Sequence, residues 1–328
     1  MKVRSRGCCA PPACSFAPDR LGEVRQRAAV LPLAVLALAG CGGSSNSGES
    51  SPGTTFDQLA AGKQIAVTPG TSDLAPGPIR YTFLILDEHG RPIERPSARV
   101  WIARDRDDAP FVQTTARFVP LGVAGEHGDH EHDQGSSEVD VGSGAYVVNA
   151  QLDKPGTYWL LARPAKTRIK ALATIPVKPQ SASPVVGAKA PVSETPTLGE
   201  APLRLLTTRV PPDRALLRYS IADSLRRHVP FVVTFATPAF CSSRVCGPVV
   251  DVVDHVRQGF AGKNVRFIHV EIYARNNPKN GENRWVRQWN LPTEPWTFLV
   301  GRDGRIKAKF EGVVSVGELR AAVRRLLT

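Results

Sequence analysis

A chain of 328 residues with 42% apolar content is long enough for two domains with separate cores, and too apolar to be disordered throughout. Its formal charge of +12 is scattered among acids with no run of five like charges, which argues against a nucleic-acid footprint and for a solvated basic surface. Residues 1–40 supply part of the excess, with six Lys/Arg against two Asp/Glu.

Arg25 and Arg27 precede an apolar run from Ala28 to Ala39. That run suits the core of a signal peptide, whereas a membrane-spanning helix needs about twenty residues. It ends in Leu38-Ala39-Gly40-Cys41, and a Gly/Ser tract follows from Gly42 to Gly48. The ending resembles the bacterial lipobox. The resemblance implies cleavage before Cys41, diacylglycerol on Cys41, and a mature protein held at the outer face of the cytoplasmic membrane. Residues 1–40 are then signal peptide, and 41–60 the lipidated cysteine with a flexible tether. Cys8, Cys9 and Cys14 lie upstream beside Pro11 and Pro12, unlike a charged leader, and a start at Val24 would give a compact Val-Arg-Gln-Arg leader. With the leader gone and Cys41 lipidated, Cys241 and Cys246 are the pair left in a compartment where disulfides form.

Residues 61–178 carry short β-rich runs broken by turn residues: Ile79–Leu86, Ala98–Ala103, Phe111–Val119, Ala145–Gln151, Thr157–Ala162 and Leu172–Val177. No helical period intervenes, so an antiparallel all-β domain is expected. Leu152-Asp153-Lys154-Pro155-Gly156-Thr157-Tyr158 resembles the tyrosine corner of immunoglobulin-like domains, which implies an immunoglobulin-like sandwich whose Tyr hydroxyl bonds the backbone just upstream. Within this domain His127, His130 and His132 stand among four acids in eight residues. Three imidazoles could hold copper, zinc or nickel, but a solvated loop is the preferred reading, since ligands on a flexible loop bind weakly.

A Pro/Ser/Ala-rich stretch over 179–196 reads as a linker, and residues 197–328 alternate helix and strand. Leu217, Ile221 and Leu225 share a helical face. Phe231–Thr237 and Val265–Tyr273 are buried strands. Val249, Val252, Val253, Val256 and Phe260 keep helical spacing after Pro248, and Arg284–Trp289 is a short helix. Trp296–Val300 and Arg305–Phe310 make a hairpin over Gly301-Arg302-Asp303-Gly304, and Glu318–Leu327 closes as a helix.

Over about residues 185–328 this order, with a cysteine pair between strand and helix, resembles the thioredoxin-like superfamily. Val186-Gly187-Ala188-Lys189-Ala190-Pro191 is similar to the opening of its extracytoplasmic TlpA and peroxiredoxin-type members. Asn290-Leu291-Pro292-Thr293-Glu294-Pro295-Trp296 resembles the family's cis-proline segment. The resemblance implies an α/β domain with a central mixed sheet flanked by helices, catalytic Cys241 and Cys246, and a substrate-binding loop containing Pro295 and Glu294. Its implied partners are protein thiols or disulfides outside the cytoplasm. Counting from the strand makes Cys241 the nucleophile; aligning Cys246-Gly247-Pro248 on the family motif makes it Cys246.

The chain departs from the pattern in three places. Four residues separate the cysteines, Thr234 stands where thioredoxins carry a buried carboxylate, and Phe240 stands in place of their Trp. Two other readings follow. One is a Sco-like copper-binding module, which lacks that family's late His, since no His follows His269. The other is a non-catalytic adaptor whose disulfide staples a loop. His228, His255 and His269 occur singly and read as structural, and Trp285, Trp289 and Trp296 as packing.

Overall fold

The structure, a computed structural model, describes residues 53–123 and 143–328. The leader, Cys41, most of the tether and the His127/His130/His132 cluster lie outside the described residues. The described residues form one compact unit. No described helix is long and apolar enough to cross a membrane.

Seven strands make up the first half: β1 (Ile65–Pro69), β2 (Gly77–Ile85), β3 (Ser97–Ala103), β4 (Val112–Pro120), β5 (Gly144–Leu152), β6 (Gly156–Pro164) and β7 (Ala171–Val177). One face of each points to a shared core in which Tyr81, Phe83 and Tyr146 stack with ring centroids 5.8 and 5.4 Å apart. The Tyr146 hydroxyl reaches the Ile93 carbonyl at 2.8 Å, so its buried oxygen is satisfied. Helix α1 (Phe56–Ala60), with a Thr55–Gln58 capping box, lays Phe56 and Ala60 on the outer face against Trp101 and Leu161.

The strands run in the order β1-β2-β5-β4-β3-β6-β7, and β1 also pairs with β7 in parallel, Ile65 opposite Ala171. That pairing closes the sheet into a barrel. The expected immunoglobulin-like sandwich is therefore corrected: a sandwich has two sheets with free edges, and here one sheet has joined its own edges. The local bond of the tyrosine corner is nevertheless made, Tyr158 donating to the Lys154 carbonyl at 2.8 Å.

The second half holds a four-stranded sheet ordered β11-β10-β8-β9, from β8 (Phe231–Phe235), β9 (Arg266–Val270), β10 (Trp296–Val300) and β11 (Ile306–Glu311). Strands β8 and β9 are parallel and the other pairs antiparallel. Every residue of β8 is buried, as both faces are covered. Helices α3 (Cys246–Gln258) and α5 (Val316–Leu327) pack on one face, where Val249, Val253, Leu319 and Val323 meet Val232 and Leu299. The opposite face takes α2 (Ile221–Arg226) and α4 (Arg284–Gln288), with Trp289 against Phe235 and Phe298.

The expected α/β thioredoxin-like domain is corrected along with the sandwich. Helices are few: α2 and α4 have only six and five residues, and Leu217, read as the start of a helical face, lies in a single 3-10 turn, Arg214–Leu217. Ser220 caps α2 at Asp223 N–H and breaks the periodic face there.

Candidate active site

Two loops meet at one end of the four-stranded sheet. Trp296, the first residue of β10, pairs with Phe235, the last of β8, so the segment before β10 lies beside the segment after β8. The first carries Glu294 and Pro295, joined by a cis peptide bond, and the second carries the cysteines.

Cys241 and Cys246 form a disulfide, with Cα atoms 5.9 Å apart. Cys246 is the first residue of α3 and fully buried, whereas Cys241 is half-buried in the loop before it. Arg244 at φ 55° and a hydrogen bond from its N–H to the Cys241 carbonyl at 3.2 Å turn the loop back. No side chain caps α3. The Cys246 N–H instead donates to Cys241 Sγ at 3.3 Å, placing that sulfur at the positive end of the helix, with the Ser243 hydroxyl 3.4 Å away. A thiolate at Cys241 would be stabilised there, and Cys241 is also the sulfur that solvent reaches.

Glu294 completes the cluster. Its carboxylate oxygen and the two sulfurs lie within 4.8 Å of one another. Its Oε2 is buried without a hydrogen-bond partner. Burial, together with the neighbouring Glu271 and Glu282 carboxylates, pushes its pKa up to about 7. Tyr273 is raised for a related reason, burial first and then Glu294 and Glu282. Phe240 is exposed on the rim, its ring edge-on to Tyr273 at 6.3 Å.

Glu271 lies behind the loops and was not singled out from the sequence. Its Oε1 accepts from the Thr208 hydroxyl at 2.8 Å, and Thr208 Oγ1 accepts the Ala239 N–H at 3.1 Å, tying the cysteine loop to β9's end. An acid near the end of the strand-like run 265–273, which also holds Arg266 and His269, was the available signal. Thr234 is closed off by a 2.8 Å bond to Thr297 across β8 and β10. His269 is structural, its ring set at 3.0 Å from the Ala236 carbonyl and 3.4 Å from Thr207 Oγ1. His228 sits exposed beside the Arg302 carbonyl, and His255 beside Arg320.

A cleft of about 420 Å³ opens between the barrel and these loops, lined by Leu84 and Leu121 on one side and Ser242, Val245 and Glu294 on the other. Once reduced, the two sulfurs and the Glu294 carboxylate oxygen would offer a metal ion three ligand atoms within 4.8 Å of one another, the geometry on which a copper reading would draw.

No family model matches this chain, and no curated protein matches it. Among solved structures it is similar to a thiol:disulfide interchange protein of the thioredoxin family from Chlorobium tepidum TLS, at 16% identity and a TM-score of 0.30, over 44% of this chain and all of that one. It is also similar to trypsin-activated alpha-2-macroglobulin from Escherichia coli, at 15% identity and a TM-score of 0.22, over 42% of this chain and 8% of that one. At such scores neither likeness bears on the activity of this chain.

Proposed function

We propose that this chain carries out thiol–disulfide exchange on protein cysteines outside the cytoplasm, with Cys241 as the sulfur that meets substrate and Cys246 as the one that resolves it. The observation that carries the reading is the asymmetry of the pair: one sulfur reachable and set at a helix N-terminus, the other buried at the first helical position. A loop closed over six residues would yield only about 2 kcal/mol as a staple, a small return for a structural disulfide. The exposed Phe240 and the apolar cleft beside Cys241 suit an extended polypeptide substrate.

Thiol trapping across a redox series tests this. Exchange predicts a reduction potential above about −300 mV and a mixed disulfide that accumulates on Cys241 in the Cys246→Ser variant. A lower potential with no trapped intermediate would instead make the bond a structural staple.

The lipobox-like Leu38-Ala39-Gly40-Cys41 supports a lipid tether at the outer membrane face, with the exchange site carried away from the surface by the Gly/Ser tract. In bacteria expressing the full chain, Cys41→Ala should abolish palmitate labelling and move the protein from the membrane fraction to the soluble one. Labelling that survives the substitution would refute the tether.

A further inference from the structure

We infer that Glu294 takes the proton from Cys246 when that thiol resolves the mixed disulfide on Cys241. The inference rests on the exchange reading and deepens it.

The chemistry requires an acceptor. In the reduced protein the Cys241 thiolate attacks a substrate disulfide, forming a new S–S bond while the other substrate sulfur leaves with its electron pair. The Cys246 thiol then attacks Cys241 Sγ, and the second substrate sulfur departs as a thiolate. The protein ends as the disulfide and the substrate as two thiols, two electrons having moved between them. Cys246 is fully buried, so water is poorly placed to take its proton.

The groups around the pair leave one acceptor among the described residues. Thr234 occupies the strand position that could have held a carboxylate, and its hydroxyl is bonded to Thr297. Glu271 also has an unpartnered buried oxygen, Oε2, but its Oε1 is held by Thr208 and it is not among the groups within 4.8 Å of both sulfurs. At the barrel side of the cleft, Glu311 accepts from Ser72, Asp73 and Thr293. Tyr273 has its pKa pushed up, which suits a donor rather than a base. Arg244, on the cysteine loop, carries no proton-accepting site. Glu282 acts on Glu294 as a like charge. Glu294 alone sets an unpartnered, buried carboxylate oxygen beside the sulfurs.

Its strength also fits. An ordinary carboxylate lies about four pK units below a thiol of about 8.5 and takes its proton poorly. Held at about 7, Glu294 is partly ionised at neutral pH and much closer to the thiol in strength.

The test uses the full chain, reduced and desalted, mixed with the aromatic disulfide dithiobis(nitrobenzoate), whose thiolate is coloured. The first release reports attack by Cys241 and the second resolution by Cys246. In Glu294→Gln at pH 7 the second release should slow about a hundredfold, far more than any change in the first. The gap should close above about pH 8.5, where the thiol ionises unaided. An unchanged second release, or equal slowing of both, would overturn the assignment. Wild-type protein supplies a measurement that needs no variant. A second-release rate that follows a group near 7 supports Glu294, and one that follows only thiol ionisation near 8.5 overturns it. Absence of any second release from the wild type would overturn the exchange reading itself, a result distinct from a slow one in the variant.

Discussion

Asp73 is a buried carboxyl group and Glu294 a half-buried one, and their surroundings drive them in opposite directions. Burial alone would raise Asp73, but its oxygens accept from Ser181 Oγ at 2.6 Å, Ala182 N–H at 2.8 Å, and the N–H and hydroxyl of Ser183 at 2.9 and 2.7 Å. Those four bonds outweigh desolvation and hold it at about 2. A carboxyl whose folded pKa is depressed contributes stability above its unfolded value, near 3.8, and loses it as pH falls through 2. The shift corresponds to about 2 kcal/mol. Asp73→Asn should therefore cost about 2 kcal/mol at pH 7 in urea unfolding, with the deficit shrinking between pH 4 and 2. A deficit that is constant across this range would show that the charge is not what matters. Glu294 has the opposite sign. Its raised pKa removes stability as pH climbs from about 4.5, where the unfolded carboxyl ionises, to about 7, above which the loss is complete.

The elements show which information is local. Strands β2 to β7 fall within or beside the β-rich runs of the sequence, because alternation of side chains is a property of each segment alone. The Tyr158–Lys154 bond was legible for the same reason, since four residues contain it. Strand β1 was hardly visible: of its five residues only Val67 is buried, so it shows no apolar alternation. Yet β1 is the strand that pairs with both β2 and β7 and turns an open sheet into a barrel. The sandwich expectation failed at that strand. The candidate site divides similarly. The cysteines and the proline segment were each readable as motifs, but the contact of Glu294 with the sulfurs depends on the β8–β10 register, which no periodicity encodes. Helix α3 adds a further point. It begins without a side-chain cap, so the sulfur of Cys241 stands where a capping oxygen would otherwise serve, joining the element's first turn to its chemistry.

At the scale of the molecule the barrel and the four-stranded sheet are joined by polar contacts to β11 and α5. Arg80 of β2 donates to both oxygens of Glu318, at 2.8 and 3.1 Å, and to the Val313 carbonyl at 2.8 Å. Glu318 is simultaneously the capping-box partner of Ser315 at the start of α5. Glu311, the last residue of β11, accepts the N–H groups of Ser72 and Asp73 at 3.0 and 2.9 Å and the Thr293 hydroxyl at 2.8 Å. Between these ties the backbones nearly touch: a Cβ on Gly312, at φ 70°, would sit 2.8 Å from the Gly70 carbonyl. The apolar cluster at the junction is small by comparison, with Leu121 and Ala145 of the barrel half meeting Val313. Each half has a core of its own, joined across the junction by Val123 in the sheet's core and by the polar ties, which carry most of the named contacts between them. Calorimetry of the wild type should give one transition over the described halves. Glu311→Ala leaves two N–H donors without their acceptor and should cost about 2–4 kcal/mol. Combined with Arg80→Met it should split the transition in two, the barrel and the sheet melting separately. The same double variant should react faster with an alkylating agent at reduced Cys241, because Thr293 and the Glu294 loop are then no longer held against the barrel across the cleft. A single, unshifted transition in the double variant would mean that shape complementarity at Gly70 and Gly312, rather than the charged ties, makes the two halves one body.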